Sequence, residues 1–169
     1  MNEAVIAFYS GTGQDATGRR LTDVWQFPHE ELEDNHDYIQ WLFPLTERSA
    51  FNPEAPILDD ATIARFRSND TLRRNLERSL EVMLDFYGLE ITGDRIIRAP
   101  RFADRSMNWL TSFNHNFLRL TRILKSLSLL GLEQRAEQLF ACLEGIYASH
   151  GRVIGERTMS FWRHAVEHG

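Results

Sequence analysis

The chain has 169 residues, of which 43% are hydrophobic and 25% charged, and its formal net charge at pH 7 is −5. This balance is typical of a soluble globular protein that buries a core without disulfide or metal crosslinks, and it excludes disordered and fibrous classes. The acidic balance gives no general attraction to phosphate backbones, so nucleic-acid binding would need a local basic patch. We expect one domain over residues 1–169.

Three features predict the compartment. The longest apolar stretch, residues 123–132, is interrupted by polar side chains and is too short to cross a bilayer, so no transmembrane helix is expected. Residues 1–3 lack the features of a signal peptide, so export is not expected. Cys142 is the only cysteine and has apolar neighbours, which predicts a buried thiol in the cytoplasm or another reducing compartment.

The N-terminal apolar run, residues 4–9, leads into a glycine-rich segment, residues 11–16. Together they superficially match a strand followed by a dinucleotide-binding turn. That site needs a βαβ unit with further parallel strands, whereas the downstream pattern is helical. We therefore interpret the run as a short strand or extended arm followed by a turn.

Helical periodicity begins with residues 30–43, where apolar residues recur every three or four positions until Pro44 ends a first long helix. After a loop, Asp59 or Asp60 can cap a short helix. Residues 69–87 then form a long helix that begins at an asparagine cap and ends before a glycine.

The second half of the chain combines one hairpin with three further helices. Alternating residues around Gly93 and Asp94 predict a β-hairpin at residues 89–98. Helical spacing predicts a central helix at residues 106–130, followed by helices at 132–150 and 156–168. The fold class is therefore all-α, a compact bundle of five or six main helices with a small hairpin.

A weak metal hypothesis rests on Glu33 and His36, whose spacing would put both side chains on one helix face. Helical di-iron sites use this spacing, but they need a second copy and two more carboxylates, which the sequence does not provide. A metal-assisted enzyme using Glu33 and His36 is the least favoured function. No signature of a hydrolase, a zinc protease or a phosphate-binding loop occurs, so we predict neither catalytic residues nor a cofactor.

The predicted central helix carries a polar stripe opposite its apolar ridge. The stripe consists of Asn108, Ser112, His115, Arg119, Arg122 and Ser126. A half-buried arginine needs a partner, and an acidic segment could supply one and form an ionic lock between two helices. The acidic residues of this segment are Glu30, Glu31, Glu33, Asp34 and Asp37. The alternative is that Arg119, Arg122 and His115 bind an anionic ligand such as phosphate, a peptide carboxylate or a nucleic-acid backbone.

Two sequence blocks stand out: LEDNHDYIQWLFPL at residues 32–45 and HNFLRLTRILKSL at residues 115–127, the latter followed by LGLE at 130–133. Both blocks resemble the opioid growth factor receptor conserved region. The block MLDFYG at residues 83–88 is similar to a third part of the family pattern. Further upstream, Phe8-Tyr9 and Trp25 fit its N-terminal portion.

The resemblance implies a receptor-like module. Vertebrate members are described as receptors for an enkephalin peptide, associated with the nucleus and its envelope, so nuclear or membrane association is an expectation by resemblance. They also carry long C-terminal regions that this sequence does not contain. Within the matching blocks, the ligand-binding candidates are His36, Tyr38, Gln40, Trp41, His115, Asn116, Arg119 and Arg122.

Overall fold

The structure, a computed structural model, describes residues 1–168. Within this range, ten helices and one two-stranded antiparallel hairpin follow one another along the chain. They are α1 (Glu3–Ser10), α2 (Leu21–Trp25), α3 (His29–Asp34), α4 (Ile39–Leu42), α5 (Asp60–Ser68), α6 (Asp70–Tyr87), β1 (Leu89–Thr92), β2 (Arg95–Arg98), α7 (Phe102–Trp109), α8 (Asn116–Leu129), α9 (Glu133–Ile154) and α10 (Glu156–His168). The predicted helical fold with a small hairpin is confirmed.

The core forms where α8 packs against α9 and α10, and where α6 packs against α1, α5, α7 and the hairpin. Most of these helices bury apolar side chains spaced three or four positions apart, because such residues share one side of a helix. On α6 the buried residues include Leu72, Leu76, Leu80, Met83 and Tyr87, as the sequence periodicity predicts. No helix within residues 1–168 has the length and apolar character that crossing a membrane requires.

Local capping sets the predicted boundaries of α5 and α6. The carboxylate of Asp59 accepts from the backbone N–H of Thr62 at 2.8 Å, and the side chain of Asn69 accepts from the N–H of Leu72 at 3.0 Å. Both bonds satisfy donors that the first helical turn leaves unpaired. Gly88 ends α6 with a φ of +81°, where a Cβ atom would lie 2.8 Å from the Cα of Phe102.

The prediction of an N-terminal strand or extended arm is wrong, because residues 3–10 form α1. Asn2 caps this helix by accepting from the N–H of Val5 at 3.2 Å. Its apolar side chains are buried at helical rather than alternating spacing, and the Tyr9 hydroxyl donates to the carbonyl of Leu42 at 2.5 Å. Tertiary packing therefore gives this apolar run its conformation.

The single long helix predicted at residues 30–43 is also wrong, because the chain forms α3 and α4 with an extended residue between them. Asn35 follows α3 with ψ of 133°. The segment Asp-Asn-His-Asp at residues 34–37 contains residues whose side chains compete with helical backbone bonds, so it is a weak point. Pro44 does follow the end of α4.

The predicted central helix at residues 106–130 is likewise divided, into α7 and α8. Phe113, which lies within the predicted helix, has a φ of +58° and is completely exposed. The buried indole of Trp109 donates to the carbonyl of Tyr87 at 3.0 Å and holds the end of α7 against α6. Finally, α9 continues past its predicted end through a kink at His150.

Candidate functional site

Arg119 is the buried centre of the contact between α8 and the break after α3. It is 5% exposed and donates to the carbonyls of Leu32 and Asn35, both at 2.8 Å, and to that of Glu33 at 3.3 Å. These carbonyls lie at the C-terminal end of α3, where backbone acceptors have no partner within the helix and the helix dipole favours a cation. The guanidinium also lies 5.5 Å from the ring centre of Tyr38.

The predicted contact between the acidic segment and α8 therefore exists, and the Arg119 guanidinium lies 4.0 Å from a carboxylate oxygen of Glu33. Its close hydrogen bonds, however, go to backbone carbonyls, and neither Asp34 nor Asp37 is its partner. Asp37 pairs instead with Arg19 at 3.0 Å. The Ser126 hydroxyl continues the contact by donating to the carbonyl of Pro44 at 2.8 Å. Four members of the predicted stripe lie on α8 or at its N-cap, whereas Asn108 belongs to α7 and Ser112 to the loop.

Glu33 connects three segments through its carboxylate. It accepts from Asn108 at 2.5 Å and from Asn116 at 3.3 Å, and it pairs with His115. Burial raises the pKa of Glu33, whereas hydrogen bonds from Asn108 and His115 and the charges of His115 and Arg119 lower it. The lowering contributions together outweigh burial, so the pKa lies below its ordinary value. Glu33 is thus a charged structural acceptor.

His36 lies in the break between α3 and α4, so it does not share a helix face with Glu33. Its Nδ1 faces Arg119 at 3.4 Å, and its ring centre is 5.1 Å from that of His115. Burial, Arg119 and His115 lower the pKa of His36 in that order. The described residues contain no group of three or more side chains suited to hold a metal ion, and the one-face argument for a metal fails.

A groove of about 630 Å³ opens between α4, the loop at residues 45–51 and α8. We call it the α4–α8 groove. Apolar side chains and basic side chains share its lining. The lining residues are His36, Ile39, Gln40, Leu45, Glu47, Arg48, Ser49, Ala50, Phe51, His115, Leu118, Arg119, Thr121, Arg122 and Lys125.

Arg122 is the most distinctive cation of this groove. It is partly buried and donates to the carbonyl of Phe43 at 3.1 Å, but within residues 1–168 it is not hydrogen-bonded to a carboxylate. Burial lowers its pKa more than the charge of Glu47 raises it, and Glu47 is itself paired with Lys125. A desolvated guanidinium with spare donors can bind a carboxylate or phosphate through two parallel hydrogen bonds.

The structure brings five of the eight ligand-binding candidates to the groove wall: His36, Gln40, His115, Arg119 and Arg122. The other three lie in the core. Tyr38 donates to the carbonyl of Leu32 at 2.6 Å, Trp41 packs edge-on against Phe8 at 5.4 Å, and Asn116 accepts from Tyr87 at 3.2 Å. These three side chains are therefore part of the core rather than of the groove lining.

Ten of the fifteen groove residues were not among the predicted candidates, and they include Arg48, Phe51 and Leu118. Phe51 is 79% exposed and Leu118 is 56% exposed, and large apolar side chains at the edge of a concave surface often contact ligands. Leu118 follows the helical spacing of the polar stripe, which could have indicated it. Phe51 lies in an irregular loop, where periodicity gives no information.

A second groove of about 830 Å³ lies between the segment before α3, α6 and β1. Its charges are largely paired with one another. Arg135 contacts Glu77 at 2.7 Å, and His29 contacts Asp85 at 2.8 Å. Arg78 similarly contacts Glu81 at 3.2 Å. This pairing makes the second groove the weaker candidate for a charged ligand.

Comparison with known proteins agrees with the resemblance found in the sequence. Residues 6–168 match the model of the opioid growth factor receptor (OGFr) conserved region. Opioid growth factor receptor of mouse is 46% identical over 113 residues, covering 64% of this chain and 17% of the mouse protein. The rat protein is 46% identical over 123 residues, covering 69% of this chain and 21% of the rat protein.

A related frog protein extends the comparison. Opioid growth factor receptor-like protein 1 of Xenopus tropicalis is 40% identical over 115 residues, covering 67% of this chain and 22% of the frog protein. The chain thus spans about a fifth of the length of these relatives. No solved structure matches the chain.

Proposed function

The chain belongs to the opioid growth factor receptor conserved-region family, and we propose that it is a non-enzymatic module that binds a peptide in the α4–α8 groove. The observation that carries this proposal is Arg122, a desolvated cation on a concave wall with apolar neighbours and no carboxylate partner among the described residues. Such a wall offers a fixed charge for orientation and apolar surface for affinity. By family, the peptide is of the enkephalin type.

Titration calorimetry and thermal unfolding with an enkephalin-type peptide test the proposal. Because a ligand that prefers the native state stabilises it, saturating peptide should raise the midpoint of unfolding. The variant Arg122→Gln should bind much more weakly. Arg74→Gln removes the same charge from an exposed position of α6 and should bind normally. An unchanged midpoint at high peptide concentration contradicts the proposal.

A second candidate is an anion- or nucleic-acid-binding module using Arg119 and Arg122, because basic side chains line the groove. The structure favours it less, since Arg119 is committed to three carbonyls. Nucleic-acid binding through several phosphates weakens steeply as salt increases. Fluorescence anisotropy with a labelled oligonucleotide should therefore show no strongly salt-dependent binding if the peptide proposal is correct.

A further inference from the structure

The groove has six basic side chains, but three of them are already engaged. Arg119 donates to three backbone carbonyls. Lys125 pairs with Glu47, and His115 pairs with Glu33. The remaining cations are Arg122 on the wall and Arg48 at the exposed rim, and His36 stays neutral near pH 7 because its pKa is lowered. This small uncommitted charge suits one carboxylate better than a polyanion.

The spacing between Arg122 and the apolar surface limits how that carboxylate can be attached. Leu118 lies four residues before Arg122 on α8, so their side chains are neighbours on one helix face, and their Cβ atoms are about 6 Å apart. Leu118 is half exposed, and Phe51 lines the same groove from the loop. A ligand that contacts Arg122 and Leu118 together therefore carries an anionic group near an apolar group.

The last residue of a peptide has this arrangement, because its carboxylate and its side chain are attached to the same Cα atom. The side-chain carboxylate of an internal Asp or Glu differs, since the adjacent side chains of an extended peptide point to opposite faces. A phosphate group carries up to two charges and no apolar group of its own. The C-terminal residue of a peptide thus fits the groove best.

The loop at residues 46–50 adds neutral donors to this site. Within the described part of the chain, none of its five backbone N–H groups donates to a protein acceptor. Residues 47–50 line the groove together with residues of α8. Backbone N–H groups of this kind are one of the recurrent ways in which proteins bind a terminal carboxylate.

We infer that the α4–α8 groove recognises the free C-terminal carboxylate of a peptide whose last side chain is apolar, an inference that rests on the proposed peptide-binding function. Arg122 binds the carboxylate. Leu118 and Phe51 contact the terminal side chain, and the loop at residues 47–50 contributes N–H donors. Peptide specificity would then be set by the end of the ligand rather than by an internal motif.

Nuclear magnetic resonance titrations of the whole chain test this inference with four probes. They are N-acetyl-dialanyl-leucine as the free acid, its C-terminal amide, N-acetyl-trialanine as the free acid, and inorganic phosphate. The free acid ending in leucine should shift the Arg122 Nε–H and Leu118 methyl signals. The amide should bind about tenfold more weakly or worse, because the charge-assisted hydrogen bonds are lost. Trialanine should bind more weakly for lack of an apolar side chain, and phosphate should bind least.

Two variants identify the surface, with thermal unfolding as the check that each is folded. Arg122→Gln should abolish the preference for the acid over the amide. Leu118→Ser, at a position that is 56% exposed, should weaken binding of the leucine-terminated acid and leave binding of trialanine unchanged. Arg74→Gln again serves as the charge-matched control and should behave like the unaltered chain.

Several outcomes overturn the inference. Equal binding of acid and amide rejects carboxylate recognition, and phosphate binding as tightly as the peptide reduces the groove to a simple anion site. If an enkephalin-type peptide binds in an Arg122-dependent manner but equally well as its amide, the inference fails and the proposed function stands. If neither this peptide nor the probes bind, both fail.

Discussion

Replacing Arg119 by methionine tests whether the carbonyls at the end of α3 depend on this one side chain. Methionine keeps most of the unbranched stem but removes every donor. The structure shows two bonds of 2.8 Å and one of 3.3 Å from this guanidinium to backbone carbonyls. A hydrogen bond to a charged group contributes about 1.5–3 kcal/mol, and the loss leaves buried acceptors unpaired.

Relief of the desolvated charge offsets part of this loss, so we expect the free energy of unfolding to fall by about 3 kcal/mol. For a chain of this size that change corresponds to a decrease of roughly 10 °C in the midpoint of thermal unfolding. The stability of Arg119→Lys should lie between that of the unaltered chain and that of Arg119→Met, because a single ammonium group cannot copy the planar guanidinium that reaches three carbonyls.

Urea unfolding followed by circular dichroism measures the effect, provided that the slope of the transition stays constant. Arg74→Met is the matched control, since Arg74 is exposed and donates only to Thr71 among the described residues. It should change the free energy of unfolding by less than about 0.5 kcal/mol. A loss below about 1 kcal/mol for Arg119→Met would refute the account, because single neutral hydrogen bonds contribute that much.

Three further predictions concern other parts of the chain. Folding lowers the pKa of Glu33 from its ordinary value of 4.5. The stabilising contribution of Glu33 is therefore complete above pH 4.5 and is lost as the pH falls through the folded-state pKa. In urea unfolding, Glu33→Gln should reduce this loss of stability at acidic pH. Gly88→Ala should destabilise the chain by more than about 2 kcal/mol, because Gly88 has a left-handed φ and its Cβ position lies against Phe102. Gly93 also has a left-handed φ but has open space around it, so Gly93→Ala should cost about 1 kcal/mol in the same assay. Burial raises the pKa of Cys142 to about 11, so its alkylation at neutral pH should be slow in the native chain and fast in urea, and equal rates would contradict this.

The parts of the fold that were predicted correctly are those with strong local signals. Asp59 and Asn69 cap the helices that follow them, and Gly88 takes the positive φ that ends α6. The hairpin pairs Leu89 with Arg98 and Thr92 with Arg95 around its predicted turn. In each case the physical cause lies within a few residues of its effect, so the sequence alone was sufficient.

The incorrect boundaries lie where distant groups compete with local propensity. The periodicity at residues 30–43 continues across the break, but Arg119, more than 80 positions away, binds the carbonyls that a continuous helix would have used. The apolar run at residues 4–9 suits either a strand or a helix, and packing against α6 decides between them. Periodicity is insensitive to such partners.

The sequence by itself determined the family, the helical class and two segments of the candidate site, because these depend on residue identity and local spacing. It also indicated that the acidic segment and the arginine stripe meet. The tertiary structure alone decided how they meet: backbone carbonyls take Arg119, and Arg122 remains available on the wall of a groove that includes Phe51. Which arginine is hydrogen-bonded depends on acceptors that lie far away in the sequence and come together only on folding.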